Sequence, residues 1–175
     1  MKGLSHKTSK KDGERMTDEE FNAVALKYSD SIFRIAFNYC KNRADSDDVV
    51  QDVLIKLYNS GKNFESEEHI RNWLIRVAIN ESKKLLISPF KKHTVPIDEL
   101  SDKPAFENRE QSDLFDAVMN LPKKYRIVVY MYYYEDYSVN EISKMLGANS
   151  STIRTQLSRA RNRLRDQLQG VWTDE

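Results

Sequence analysis

The chain has one cysteine, Cys40, so no disulfide can form within it, and a lone thiol suits a reducing compartment. Cys40 stands in an apolar helical run and reads as a small buried hydrophobe. Three scattered histidines and that one thiol cannot build a usual zinc site. No stretch approaches the roughly 18 apolar residues that a membrane span needs. Only 5 glycines and 4 prolines punctuate 175 residues, and the abundance of Leu, Ile, Val, Lys and Glu favours long helices. At 39% hydrophobic and 31% charged, the chain is too apolar to be disordered throughout.

The formal net charge is only +1, but the charges are segregated. Residues 1–15 carry five Lys or Arg against Asp12 and Glu14, while segment 45–52 holds Asp45, Asp47, Asp48 and Asp52 and no base. Segment 71–92 sets Arg71, Arg76, Lys83, Lys84, Lys91 and Lys92 against Glu81 alone. Segment 151–168 sets five arginines, at 154, 159, 161, 163 and 165, against Asp166. One charged block is an ordinary solvated face. Four alternating blocks point to surfaces for two kinds of partner, one polyanionic and one basic.

Residues 1–15 have no apolar core, are not a signal peptide, and read as a disordered basic arm. Thr17-Asp18-Glu19-Glu20 is a capping box, followed at helical spacing by Phe21, Ala25, Tyr28, Ile32, Ala36 and Tyr39. A second helix is expected from about Asp45 to Tyr58, and a third from Ser66 to about Ile87, where Pro89 stops it. Residues 89–112, with Pro89, Pro96 and Pro104, read as a linker in which proteolysis should cut first. Beyond it, Leu114, Phe115, Val118 and Leu121 lead to Pro122 and a helix to about Tyr134. The tyrosines at 130, 132, 133, 134 and 137 fit core and flank of that helix better than a base-stacking platform. Ser138-Val139-Asn140-Glu141 is a second capping box; Gly147 closes its short helix, and Ser150 is expected to cap a long last one. Helix, Gly-bearing turn and second helix follow the helix-turn-helix pattern. The fold class is therefore all-α: two small helical domains, 16–88 and 113–171, joined by a flexible linker.

On the last helix, Ile153, Leu157, Ala160, Leu164 and Leu168 fall within about 60° of one another. Thr155, Ser158, Arg159 and Asn162 lie on roughly the opposite side, with Arg154 and Arg165 on the flank, giving a basic, hydrogen-bonding face of the kind that enters a major groove. On the third helix, Ile70, Leu74, Val77, Ala78 and Leu85 form the apolar stripe, and Trp73, Arg76, Asn80, Lys83 and Lys84 form a face suited to unpaired bases and phosphates. The aspartates of 45–52 sit at a helix start, where carboxylates suit the helix dipole, and lack the spacing of a calcium loop. No metal and no cofactor is expected. An enzyme would need paired carboxylates with a metal, or a His or Cys nucleophile system, and neither is present at a workable spacing.

At these residues the chain resembles a bacterial RNA polymerase sigma factor of the extracytoplasmic-function (ECF) group of the sigma-70 family. DSDDVVQDVLIKLY at 45–58 is similar to that family's acidic-to-apolar helix with its central Gln51, and Trp73-Leu74, Arg76-Val77-Ala78 and Asn80 to its promoter-melting segment. Leu121-Pro122, Arg126, Glu141-Ile142, Gly147, Thr152-Ile153 and Arg159-Ala160-Arg161 match in order and spacing, so the resemblance covers about 17–170. It implies a cytoplasmic transcription initiation factor, not an enzyme, whose partners are core RNA polymerase and promoter DNA. The first domain would dock on the polymerase clamp through Asp47, Asp48, Gln51 and Asp52, and Trp73, Arg76, Asn80, Lys83 and Lys84 would open and hold the −10 region. The −35 element would fall to Ser151, Thr152, Arg154, Thr155, Ser158, Arg159 and Asn162. An anti-sigma factor clamping the two domains is a further implication, which no residue identifies. Where the family often has an Asp four residues after Asn80 and an Arg near the helix end, this chain has Lys84 and Ile87. The competing reading is a helix-turn-helix regulator that binds duplex DNA tightly by itself and has no affinity for polymerase.

Overall fold

The computed structural model describes residues 16–88 and 107–172, with side chains to Gln169. The basic arm 1–15 and most of the expected linker lie outside the described residues. Seven helices follow in order: α1 (Asp18–Cys40), α2 (Arg43–Asn59), α3 (Glu67–Ile87), α4 (Arg109–Asn120), α5 (Lys123–Tyr133), α6 (Val139–Leu146) and α7 (Ser150–Trp172). No strand occurs among the described residues.

Local chemistry sets the helix starts. Thr17 Oγ1 accepts the Glu20 N–H at 3.2 Å, and Glu20 Oε2 accepts the Thr17 N–H at 3.0 Å, which closes the expected capping box. Asn42 and Ser66 cap α2 and α3 in the same manner through the Asp45 and His69 N–H groups. Two boundaries differ from the sequence reading. Asn108 accepts the Gln111 N–H at 2.9 Å, so α4 begins inside what reads as linker. Ser150 is already the first residue of α7, and its hydroxyl donates to Asn140 Oδ1 at 3.0 Å instead of capping the helix.

The first three helices pack against one another over Ile32, Ile35, Val49, Val53, Leu57, Leu74, Ile75 and Ile79, all buried. In the second half, α7 packs on α4, α5 and α6 around Leu121, Met131, Ile142, Ile153 and Leu157. Cys40 is half-buried, less enclosed than its apolar setting suggests. Tyr130 and Tyr137 are core, whereas Tyr132, Tyr133 and Tyr134 are exposed on the flank.

The two halves are packed together. The contact runs from α1 to α5 and continues one hydrophobic core into the next. At its centre Arg126, 3% exposed, donates Nε to the Asn38 carbonyl at 2.7 Å across the contact, and Nη1 to the Met119 and Leu121 carbonyls at 3.0 Å each. A second arginine works from the other side. Arg71 on α3 donates to Glu135, both to its backbone oxygen and to Oε2 at 3.1 Å, and stacks 4.4 Å from the centre of the Tyr137 ring. Glu135 is itself buried and accepts the Tyr130 hydroxyl at 2.9 Å. Arg71, counted by sequence into a basic block, is thus spent on the joint between the halves.

Replacing Arg126 by Met keeps much of the packed volume but leaves three carbonyls without their donor. Urea denaturation is expected to show a loss of about 2–5 kcal/mol, since unsatisfied buried polar groups are costly. A loss below about 0.5 kcal/mol would show that water replaces the guanidinium freely.

Candidate polymerase and nucleic-acid interfaces

The acidic candidates lie together on the outer side of α2. Asp47, Asp48, Gln51 and Asp52 are all exposed, while Ser46, Val49 and Val53 face the core. Arg43 approaches Asp47 at 3.8 Å, a loose pair one turn apart at the surface. The line Asp48–Asp52 continues into Ile55, which is 58% exposed, and Tyr58 lies exposed beside it against Phe21, ring centres 5.4 Å apart. An acidic face that runs into uncovered apolar side chains matches a protein-binding surface, with an apolar centre and a polar rim. Sequence periodicity puts Leu54 and Leu57 inward and gives no reason to single out Ile55 and Tyr58. Their exposure is what marks them.

On α3, Arg76, Asn80, Lys83 and Lys84 are exposed and Trp73 is half-buried. The indole is held edge-on by Phe64, with ring centres 5.6 Å apart, and Lys62 sits 5.5 Å from its ring centre. Lys84 lies 3.6 Å from the buried Glu81 carboxylate, which also receives Lys56 at 2.5 Å. Part of the Lys84 charge is therefore compensated, whereas Arg76 and Lys83 have no carboxylate partner among the described residues.

The third surface is the helix-turn-helix. Ser138 Oγ accepts the Glu141 N–H and Glu141 Oε2 accepts the Ser138 N–H at 2.8 Å, fixing the start of α6. Gly147 ends it with φ of +67°, and a Cβ there would meet nothing within 4 Å, so the backbone angle and not crowding calls for glycine. Ser143 Oγ donates to the Ala148 carbonyl at 2.5 Å, and the Ala148 N–H to the Ser143 carbonyl at 3.1 Å, which ties the turn. α7 then buries Ile153, Leu157 and Ala160 and exposes Ser151, Thr152, Arg154, Thr155, Ser158, Arg159 and Asn162, all seven candidates. Its N-terminal turns and the start of α5 enclose an open cleft of about 270 Å³ lined by Lys124, Tyr125, Ser151, Thr152, Thr155, Gln156 and Arg159. Nothing in the sequence spacing joins α5 to α7, so Lys124, Tyr125 and Gln156 become candidates only in the folded chain.

No cluster of His, Cys, Asp or Glu suited to a metal occurs among the described residues, and no described helix is long and apolar enough to cross a membrane.

These three surfaces coincide with two family models. Sigma-70 region 2 matches residues 25–87, from α1 to the end of α3, and Sigma-70 region 4 matches 112–164, from α4 through the exposed face of α7. The chain is 29% identical over 144 residues to the RNA polymerase sigma factor SigV of Bacillus subtilis, covering 81% of this chain and 86% of that protein. It is 26% identical over 166 residues to the ECF RNA polymerase sigma-E factor of Haemophilus influenzae, covering 85% and 86%. Its fold is similar to that of the sigma factor RpoE from Bartonella quintana, solved in complex with the anti-sigma factor NepR. The TM-score is 0.71 at 22% identity, over 86% of this chain and 98% of that one. The chain belongs to the ECF group of the sigma-70 family. It directs RNA polymerase to promoters, and core RNA polymerase and promoter DNA are its partners.

The Glu141 carboxylate titrates below its ordinary value of 4.5 because it accepts the Ser138 side-chain and backbone hydrogen bonds. A depressed folded-state pKa means that the box contributes its full stability above the unfolded value and loses it as pH falls through the folded one. Glu141→Gln should therefore flatten the acid limb of a thermal-stability profile below about pH 4.5, and leave the protein little changed in its response above pH 6. An unchanged acid limb would exclude Glu141 as a contributor.

Proposed function

We propose that the three surfaces divide the work of initiation: α2 docks on polymerase, α3 opens and holds the −10 region, and α7 reads the −35 element. The observation that supports this most strongly is the partition of exposed side chains. Carboxylates and uncovered apolar groups share one helix face, and uncompensated cations with amides and hydroxyls share two others. A polyanion is repelled by the first and drawn to the second and third. On α3, the half-buried indole of Trp73, beside the exposed amide of Asn80 and the cations of Arg76 and Lys83, supplies stacking and hydrogen bonding for separated bases. On α7, residues in the first turns face base edges, and Arg161, Arg163 and Arg165 lie further along, where phosphates are contacted. The first domain, 16–88, carries the polymerase and −10 role, and the second, which starts with α4 at Arg109 and not at 113, carries the −35 role. The Bartonella quintana neighbour was solved with an anti-sigma factor, and a partner of that kind belongs to the same proposal. The cytoplasm, where polymerase and promoters are found, is the compartment this reading requires.

Charge reversal on α2 tests the docking surface. Asp48→Lys with Asp52→Lys should abolish association with core polymerase, because like charges facing each other cost several kcal/mol, while helical content is kept. Normal holoenzyme formation by the double variant would remove α2 from the interface. On α7, Arg159→Ala should erase preference at an upstream promoter position, by about 1–3 kcal/mol. Arg165→Ala should weaken all sequences alike and lower the salt slope by about one. Trp73→Ala with Asn80→Ala should still recruit polymerase but leave the duplex closed, as permanganate footprinting would report. Normal opening by that pair would take α3 out of the melting step.

A further inference from the structure

The side of α7 turned towards α5 carries Thr152, Gln156, Arg159 and Arg163, spaced i, i+4, i+7 and i+11 along one face. The first three form one wall of the cleft, and Lys124 and Tyr125 of α5 form the other. Tyr125 is buried, and its ring centre lies 5.1 Å from Lys124 Nζ and 5.6 Å from the Arg163 guanidinium. Two cations from different helices thus meet over one ring, which orders them without cancelling their charge. Lys124 is exposed and, like Arg159 and Arg163, has no carboxylate within ion-pair distance among the described residues.

The dimensions of the duplex decide what such a cation meets. An α-helix with its side chains is about 10–12 Å across, and the major groove of B-DNA is about 12 Å wide. With α7 in the groove no room is left for α5, which packs along its flank. The exposed part of α5 beside the cleft therefore faces the rim of the groove, and the rim is phosphate backbone.

We infer that Lys124 is a DNA-contacting residue outside the recognition helix: it binds a backbone phosphate at the groove rim, on the side where Arg163 also lies, while Arg159 across the cleft reaches a base edge. The inference rests on the reading of α7 as the helix that enters the −35 groove. Lys124 carries no sequence information by itself. It adds affinity and fixes the register in which α7 enters, as phosphate contacts do. Lys123 provides the contrast. It is exposed in the same turn of α5 and bears the same charge, but it is not part of the cleft wall.

The test uses holoenzyme, reconstituted with core polymerase, and promoter fragments randomised over the upstream element, with closed-complex affinity measured against salt. In Lys124→Ala, affinity should fall on every sequence alike, by about three- to tenfold at low salt, and the salt slope should drop by about one. The parent's advantage should accordingly shrink about three- to fourfold between about 50 and 200 mM salt. The ratio between the best and average upstream sequences should stay that of the parent. Lys124→Arg should restore affinity and slope, and Lys123→Ala should leave both unchanged. Equal losses in Lys123→Ala and Lys124→Ala would reduce the effect to general charge and overturn the contact. Parent-like affinity and slope in Lys124→Ala, with preference lost in Arg159→Ala, would overturn the contact and leave the −35 reading intact. Preference altered at one position in Lys124→Ala would make this residue a base reader and overturn the phosphate assignment. Weakened association of Lys124→Ala with core polymerase, at an unchanged salt slope on DNA, would move Lys124 to the protein interface. Unchanged preference in Arg159→Ala would overturn the reading on which the inference rests.

Discussion

The buried guanidinium of Arg126 is the constraint on which the arrangement of the two halves depends. It sits where α1 ends and the turn between α4 and α5 begins, and its three hydrogen bonds reach carbonyls from both. Withdrawing such a charge from water is costly, and burial alone displaces its pKa downward. The cost is offset only while every donor has its acceptor, so the contact tolerates little sliding. Arg71 and Glu135 add a second fixed point, with the Tyr130 hydroxyl completing the carboxylate's shell and the Tyr137 ring under the guanidinium. Two arginines of opposite halves thereby hold α1, α3 and α5 in one register.

This use of arginine contrasts with its use on α7. Arg71 and Arg126 are enclosed by carbonyls, a carboxylate and a ring, and serve structure. The α7 arginines at 154, 159, 161 and 163 are exposed and have no carboxylate within ion-pair distance among the described residues. A similar separation holds for acids. Glu81 and Glu135 are buried and paired, whereas Asp48 and Asp52 stand clear on α2 next to uncovered Ile55. Buried charges in this protein have partners within reach, whereas Asp48, Asp52, Arg154 and Arg159, which the proposed function assigns to binding, have no ion-pair partner among the described residues.

Much of this was legible in the sequence, for physical reasons that operate over a few residues. The capping boxes at Thr17 and Ser138, the Gly147 turn and the Ile153–Leu157–Ala160 stripe each involve neighbours within one or two helical turns, and each appears as expected. The membership of the sigma-70 family and the helical fold were also readable, because ordered motifs run through both halves. The start of α4 is not legible, because its cap, Asn108, stands amid charged residues that carry no apolar period. By sequence Arg71 counts only as part of a basic block, because its partner lies 64 residues away. The Arg126 joint is invisible for the same reason, as a meeting of helices distant in the chain, and the exposure of Ile55 follows from what does not cover it, on which periodicity within one helix is silent.

The central claim is that the chain acts on promoters through polymerase and not by itself. Run-off transcription on a fragment selected by the holoenzyme measures this directly, with core polymerase and the chain added separately and together. Only the combination should yield a discrete transcript, with no more than weak duplex binding by the chain alone. Tight sequence-specific binding by the free chain, and a transcript yield from core polymerase that the chain leaves unchanged, would contradict the account.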